Sequence, residues 1–267
     1  MDKLKILIAT DFSEQARNAM KFALKFSDFY ILDIILFHSL NSTEINSFET
    51  ETEKLKKESD YVKRQSPNIP VKTILAKEDN ILNKINDIIE TDAVDYIVMG
   101  TKGNSGKDST VFGSYISDIL ITANCPVLAI PLTSHNKGIS KILCLTEMEE
   151  SELKAIEQCL KLSRIHESEI IFYFVSEYDQ GQIKNKVSNF KEQIRTITSY
   201  PQIKFVTELS GNILDSIENY TCNSQPDLVV TLGKERSLWD RLFSKRITKN
   251  LCLDTTVPIL SFPQRYR

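Results

Sequence analysis

A short segment between residues 100 and 114 concentrates residues that could hold a phosphate group. Four of the chain's eight glycines fall within it, at positions 100, 103, 106 and 113. Glycine reaches positive φ and carries no side chain, so consecutive backbone amides can turn toward one anion. Gly113 and Ser114 would then open a helix whose free N–H groups and dipole favour negative charge. The spacing predicts a phosphate cradle, with a hydroxyl from Ser114 and charge neutralisation from Lys102 or Lys107 at its mouth.

A simpler structure also fits this segment. The glycines could form a surface turn, and Ser114 could be an ordinary helix N-cap, since serine is favoured at that position for its own sake. The neighbouring elements favour the phosphate site, because the segment follows a strand-like run at 95–99 and precedes a helical pattern. Open α/β sheets bind ligands at the carboxyl ends of their parallel strands.

Short β-branched runs alternate with helical patterns through the first half of the chain, which predicts a parallel sheet with helices on its faces. The runs are nearly continuous in apolar residues, as strands covered on both faces must be. Between them, residues 41–65 are rich in Glu, Lys, Ser and Thr, and predict a loop that runs into a solvated helix. The predicted strands are 4–9, 31–38, 70–75, 95–99 and 127–130.

The second half of the chain repeats the first. The opening run Lys5–Asp11 returns as Lys141–Glu147, and a helical pattern follows both. A period of about 135 residues indicates a duplicated domain rather than a solenoid repeat. The polar stretch Thr133–Gly138 separates the two copies, as a linker would. We therefore expect two domains, 1–133 and 138–267.

The glycine spacing resembles a known signature. Gly100-x2-Gly103-x9-Gly113-Ser114 is similar to the G-x2-G-x9-G-[S/T] signature of the ATP-binding class of universal stress proteins, and the run Leu7–Ser13 resembles the first strand of that family. The resemblance implies an α/β fold of two doubly wound parallel five-stranded sheets, each of order 3-2-1-4-5 with helices on both faces, of the adenine nucleotide alpha hydrolase type. It also implies an ATP pocket between the first and fourth strands.

The resemblance assigns roles to individual residues of this pocket. Asp11 would face the adenosine, although an aspartate after a strand can also cap the helix that follows. Ser39 stands where the family often has an aliphatic residue, and a contact made through its backbone would survive that change. Magnesium would be held mainly by the phosphates of the nucleotide. Together with Lys102 at the mouth, the expected ATP-binding residues are Ala9, Thr10, Asp11, Ser39, Met99, Gly100, Gly103, Gly113, Ser114 and Tyr115.

The second half departs from the signature between residues 232 and 246. We expect Gly233 to match Gly100, but Arg236 stands where the second glycine should be, Lys245 or Arg246 replaces the Gly-Ser pair, and the segment is one residue shorter. Side chains would then occupy the space that phosphates need. The sequence therefore predicts one adenine nucleotide per chain, bound in the first domain only.

The composition excludes several classes of partner. A formal net charge of -3 gives no electrostatic footprint for nucleic acid. The chain does not open on a secretory signal, and no apolar run reaches the ~18 residues of a membrane span, so we expect a cytoplasmic protein without membrane contact. The five cysteines form no CxxC pair and are odd in number, so we expect reduced thiols.

The motifs favour regulation over catalysis. The sequence has no GxSxG elbow, HExxH helix or Walker loop, and none of its three histidines has partners at catalytic or metal-ligand spacing. We therefore expect an ATP-binding regulator in stress response, with at most weak ATP hydrolysis. A nucleotide-independent scaffold with a vestigial loop and a slow ATPase are the alternatives. By family resemblance the two domains would pack as an intramolecular pseudo-dimer through their fifth strands, with association of two chains left open.

Overall fold

The computed structural model describes residues 1–40, 48–77, 80–101, 116, 118–120, 122–132, 134, 138–177, 180–232, 257–263 and 266. The chain divides into two compact units, 1–132 and 133–267. Strands alternate with helices in both units, so the predicted α/β class is confirmed. In the part of the chain that the structure describes, no helix is both long enough and apolar enough to cross a bilayer.

In the part of the first unit that the structure describes, five strands alternate with helices. Its elements are β1 (Lys3–Ala9), α1 (Glu14–Leu24), a 3-10 turn (Lys25–Asp28), β2 (Ile31–Leu40), α2 (Phe48–Gln65), β3 (Val71–Lys77), α3 (Ile81–Asp92), β4 (Tyr96–Gly100) and β5 (Val127–Ile130). The strands are parallel and pair in the order β3-β2-β1-β4-β5. Each strand begins within about one residue of its predicted start, because the apolar runs of the sequence are the segments that a sheet covered on both faces buries.

The second unit has the same succession of elements. They are β6 (Lys141–Leu145), a 3-10 turn (Glu150–Glu152), α4 (Leu153–His166), β7 (Glu169–Ser176), α5 (Gln180–Ile197), β8 (Ile203–Leu209), α6 (Ile213–Ser224), β9 (Leu228–Leu232) and β10 (Ile259–Phe262). These strands are also parallel, and they pair in the order β8-β7-β6-β9-β10. In both units the first strand therefore lies at the centre, with the second and third strands on one side of it and the fourth and fifth on the other.

The two units repeat the same contact between their first and fourth strands. The Lys5 N–H donates to the Asp95 carboxylate at 2.7 Å, and the Lys141 N–H donates to the Asp227 carboxylate at 2.9 Å. In each unit the ammonium group of this lysine also donates to a carbonyl at the end of the helix before the fourth strand, which is α3 in the first unit and α6 in the second. The repeat seen in the sequence therefore extends to individual hydrogen bonds.

Helix α2 is less solvated than its composition predicts. It buries an apolar stripe, but it also buries Glu51 and Glu58, which are only 4% and 5% exposed. The Glu58 carboxylate forms an ion pair with Arg17 of α1, and Glu51 lies 3.7 Å from His38 of β2. Buried carboxylates are rare unless they are paired. Charged contacts as well as apolar ones therefore hold α2 in place.

Cysteine usage departs from the expectation of five reduced thiols. Cys125, Cys144 and Cys159 are buried and free. Cys222 is disulfide-bonded, so the expectation is wrong for this residue. An odd number of cysteines excludes the pairing of all of them, but it leaves room for a single pair.

Candidate functional site

The predicted site falls at the carboxyl ends of β1, β2 and β4. Strand β1 pairs with β2 on one side and with β4 on the other. The chain runs from β1 to β2 on one side and returns to β4 on the other side, so the order of the strands reverses at β1. Open parallel sheets bind ligands in the crevice that such a switch point creates. The predicted residues at this edge of the sheet are Ala9, Thr10, Asp11, Ser39, Met99 and Gly100.

A small cavity lies at this edge, with a volume of about 30 Å³. Four predicted residues, Ala9, Thr10, Ser39 and Met99, line it from three different strand ends. Ordinary ligand pockets enclose about 300–1,000 Å³. The cavity is therefore much smaller than an ordinary ligand pocket. Its other lining side chains are Phe37, His38, Ile81, Ile85 and Ile119.

The Ser39 hydroxyl is a buried polar group at the edge of this cavity. It lines the cavity, and it has no hydrogen-bond partner among the described residues. An unsatisfied buried hydroxyl costs about 1–3 kcal/mol, so native proteins rarely keep one without a role. A ligand that hydrogen-bonds to Ser39 would remove this cost. The Ser39 side chain is thus a candidate contact, in addition to the backbone contact that the sequence predicts.

Thr10 holds the turn that follows β1. Its N–H donates to the Phe37 carbonyl at 2.9 Å, and its hydroxyl oxygen accepts the Phe12 N–H at 3.0 Å. Its carbonyl accepts a hydrogen bond from Nδ1 of His38 at 2.7 Å, so this ring nitrogen carries the proton. These bonds keep Phe12 at a φ of 62°, a left-handed conformation that is uncommon for a bulky residue. Thr10 therefore contributes to the site chiefly by positioning this turn.

Asp11 is oriented by the same turn. Its Oδ1 accepts the Ser13 N–H at 3.0 Å, which is an Asx turn. The side chain that caps α1 belongs to Ser13, whose hydroxyl oxygen accepts the Ala16 N–H at 3.1 Å. The alternative role of Asp11 as the helix cap is therefore wrong. Its half-buried carboxylate is instead held at the end of β1.

Gly100 has a packing role that is independent of any ligand. A Cβ atom at this position would lie 3.0 Å from the backbone carbonyl carbon of Gln15 and 3.1 Å from its Cβ. These distances are shorter than most Cβ contacts in proteins, so a larger residue would require β4 and the first turn of α1 to move apart by a few tenths of an ångström. The absence of a side chain at Gly100 is explained by this close approach, and its contact with ATP stays a prediction.

A charged cluster that the sequence did not predict lies beside the crevice. The Lys54 ammonium lies 2.8 Å from the Glu51 carboxylate and 5.6 Å from the centre of the Phe12 ring. The Phe12 and His38 rings are 4.4 Å apart. The cluster links α2 to the turn that carries Asp11. No local pattern could have found it, because Glu51 and Lys54 belong to a segment whose composition indicates a solvated helix.

The remainder of the predicted loop lies outside the described residues. This applies to Lys102, Gly103, Gly113, Ser114 and Tyr115, whose roles stay predictions. It also applies to the basic residues of the second half between 233 and 250, including Arg236.

The second unit places a buried carboxylate at the corresponding turn. Met148 repeats the left-handed conformation of Phe12, with a φ of 57°, and its N–H donates to the Thr146 hydroxyl at 2.9 Å. The Glu152 carboxylate accepts the Thr146 hydroxyl at 2.5 Å and the Glu147 N–H at 3.0 Å. Burial raises the pKa of Glu152 to about 7, against the lowering effect of these hydrogen bonds. Once ionised, this carboxylate would repel an anionic ligand at the end of β6.

The second unit has different side chains at two positions that line the cavity in the first unit. The parallel register places Leu145 at the position of Ala9, and Val175 at the position of Ser39. Leu145 belongs to a buried cluster with Tyr173 and others, and Val175 packs against that cluster. Larger apolar side chains therefore replace an alanine and a serine.

The strand register corrects one predicted correspondence. Gly100 ends β4 and Leu232 ends β9, and the two residues hold the same register relative to the central strands of their units. Gly233 follows one residue later, so its expected match with Gly100 is wrong by one residue. Leu232 is buried, and a full side chain thus stands where the first unit has none.

Known proteins match the first unit in sequence and the whole chain in fold. Residues 4–131 match the model of the Universal stress protein family. A universal stress protein of Methanocaldococcus jannaschii is 31% identical over 139 residues, which cover 47% of this chain and 81% of that protein. A second one from the same organism is 27% identical over 155 residues, covering 47% of this chain and 93% of that protein. The crystal structure of a universal stress protein from Archaeoglobus fulgidus covers 97% of this chain and 96% of its own, with a TM-score of 0.72 and 16% identity, which is a similarity of fold.

Proposed function

Because this chain belongs to the universal stress protein family, we propose that its first unit binds ATP in the crevice between β1 and β4, and that the bound nucleotide regulates which partners the protein engages in stress response. The observation that carries the proposal is the cavity at this edge, where Ser39 keeps a buried hydroxyl without a partner among the described residues. The sequence supplies the second support, through the glycine spacing that follows β4.

The adenine base takes the apolar end of the site in this proposal. Ala9 leaves room at the end of β1, Met99 offers an apolar wall, and the Ser39 hydroxyl can pair with one polar atom of the base. The carboxylate of Asp11, held by the Ser13 N–H, faces the adenosine from the end of β1. Base sites of this kind are mostly apolar, with a few placed polar groups that fix orientation.

The phosphates take the glycine-containing loop. Backbone amides from Gly103, Gly113 and Ser114 would supply the hydrogen bonds, with Tyr115 nearby and Lys102 neutralising charge at the mouth. Among the described residues there is no group of three or more histidine, cysteine or acidic side chains that could hold a metal ion. We therefore assign Mg²⁺ to the phosphates, which is its usual arrangement in nucleotide sites.

One nucleotide per chain is part of the same proposal. In the second unit Leu145 and Val175 take the place of Ala9 and Ser39, and Glu152 brings a carboxylate to the end of β6. The second unit then serves as a structural or regulatory partner. Each unit is proposed to be a five-stranded, doubly wound sheet of the adenine nucleotide alpha hydrolase type, and hydrolysis is expected to be weak at most.

Calorimetric titration of the whole chain with MgATP tests this proposal. We expect saturable binding at one site per chain, with weaker binding of MgGTP because the base contact is specific. Replacing Gly113 with leucine should abolish binding, whereas replacing Arg236 with leucine should change it little. A dissociation constant of about 1 mM or weaker would overturn the ATP-dependent function and favour the nucleotide-independent scaffold. The reverse pattern for the two variants would mean that the nucleotide occupies the second unit.

Two substitutions at Ser39 isolate the contact that carries the proposal. Ser39→Val reproduces the residue of the second unit and should weaken ATP binding about tenfold, because it removes the hydroxyl and adds apolar volume. Ser39→Thr keeps the hydroxyl and should retain most of the affinity. If the two variants bind ATP equally well, the Ser39 side chain does not contact the nucleotide.

A further inference from the structure

A second, larger cavity lies in the second unit, between α5 and the carboxyl end of β8. Its volume is about 490 Å³, which is within the range of small-molecule sites. Val187, Lys184 and Lys191 line it from the helix, and Thr207 and Leu209 line it from the strand. No part of the nucleotide proposal uses this cavity.

The cavity exists because α5 packs closely on the sheet along only part of its length. Phe190 and Ile194 are 1% exposed, and Phe190 meets Phe205 edge-to-face at 6.1 Å between ring centres. Toward the beginning of the helix, Ile183 and Val187 are only half-buried, although they continue the same apolar stripe. Leu209, at the end of β8, is 45% exposed. Apolar side chains therefore line a space that the described part of the chain does not fill.

The charge in this cavity is positive. Glu208 also borders it, but alternate residues of a strand point to opposite faces, and the Glu208 carboxylate accepts the Tyr173 hydroxyl at 2.6 Å on the other face. Lys191 continues the apolar stripe of α5, and its ammonium lies 5.4 Å from the centre of the Phe205 ring. Neither Lys184 nor Lys191 forms an ion pair with any described residue.

We infer that this cavity binds a small amphipathic anion, an apolar chain or ring that ends in a single carboxylate or phosphate. The apolar body would cover Val187 and Leu209, and the anionic group would pair with Lys184 and Lys191. A lysine on the sheet-facing stripe of a helix leaves an ammonium beside apolar surface, and an anion neutralises it there. Lysine binds such a group as a point charge, so carboxylate and phosphate are both suitable. The site is independent of ATP binding in the first unit.

The test uses the whole chain with anilinonaphthalene sulfonate as a fluorescent amphipathic anion, displaced by decanoate, decyl phosphate or decanol. We expect the two anions to displace the dye and neutral decanol to do so about tenfold less well. Hydrogen exchange should show protection by decanoate in α5 and β8. Replacing Lys184 and Lys191 together with glutamine should weaken decanoate binding about tenfold. Lys204→Gln is the control, because Lys204 lies on β8 but pairs with Glu169.

Four results would overturn the inference. Equal displacement by decanol and decanoate would remove the role of the lysines, as would equal affinities in the double-lysine variant and the Lys204→Gln control. Protection confined to the first unit, with displacement of the dye by MgATP, would place the dye in the nucleotide crevice instead. Displacement by an acidic ten-residue peptide at lower concentration than decanoate would favour strand addition at β8 over a small molecule.

Discussion

Glu152 should make the second unit less stable as the pH rises. The pKa of this carboxyl is raised from an ordinary value of 4.5 to about 7, mainly by burial. The folded unit therefore binds a proton that the unfolded chain releases. The contribution of this proton to stability is complete below about pH 4.5, and it is lost as the pH rises through about 7. This rise in the pKa corresponds to about 3 kcal/mol, of which roughly 2.5 kcal/mol is lost between pH 5 and pH 8.

The assay should separate the two units, and the buried thiols make this possible. Cys144 and Cys159 report on the second unit, and Cys125 reports on the first. The chain is equilibrated in urea at each pH, labelled in a brief maleimide pulse at neutral pH, and digested for mass spectrometry. When the pH is raised from 5 to 8, the urea concentration at the midpoint of Cys144 and Cys159 labelling should decrease. The decrease should correspond to a loss of roughly 2.5 kcal/mol in the free energy of unfolding.

Two variants complete this test. Glu152→Gln removes the titrating group while keeping its size, so most of the pH dependence at Cys144 and Cys159 should disappear. Glu150→Gln changes an exposed glutamate of the same turn and should leave the dependence intact. The reasoning is refuted if the wild-type midpoint for the second unit does not change over this pH range, or if Glu152→Gln and Glu150→Gln have the same pH dependence.

Three further predictions concern the first unit. Gly100→Val should lower its urea stability by about 1–3 kcal/mol, because the new side chain meets Gln15, whereas Gly138→Ala, with no atom within 4 Å of the added Cβ, should leave the urea stability of its own unit, the second, nearly unchanged. Arg17→Ala should cost about 1 kcal/mol in urea denaturation, because the buried Glu58 carboxylate loses its partner, and adding Glu58→Gln should recover part of this loss. Burial raises the pKa of Cys125 to about 12, so at pH 8 maleimide should modify it no faster than the unit opens, as mass spectrometry over time would reveal.

Local sequence patterns were sufficient for the elements of the fold. Strand β5 is a short apolar run whose four residues are all buried, and β1 is buried over its last four residues, so the positions of both strands can be read without knowing their neighbours. The duplication was also visible, because corresponding runs recur at nearly constant spacing. The candidate crevice followed from these two facts, since a parallel sheet brings its strand ends to one edge.

The contacts between elements could not be read in this way. Asp11 and Ser13 are both good capping residues, and only the backbone path after β1 gives the cap to Ser13. Glu51 and Glu58 look like solvated charges until α2 packs beside His38 and Arg17.

The sequence by itself determined that this protein is a duplicated α/β chain with a glycine-containing loop after the fourth strand of its first half. The tertiary structure decided what stands at each strand end. It put the Ser39 hydroxyl, which has no hydrogen-bond partner among the described residues, beside Ala9 in one unit, and it put the larger side chains of Leu145 and Val175 at the corresponding positions of the other. The physical reason is that periodicity records which side chains are buried, whereas a site depends on which buried side chains meet across strands that are distant in sequence.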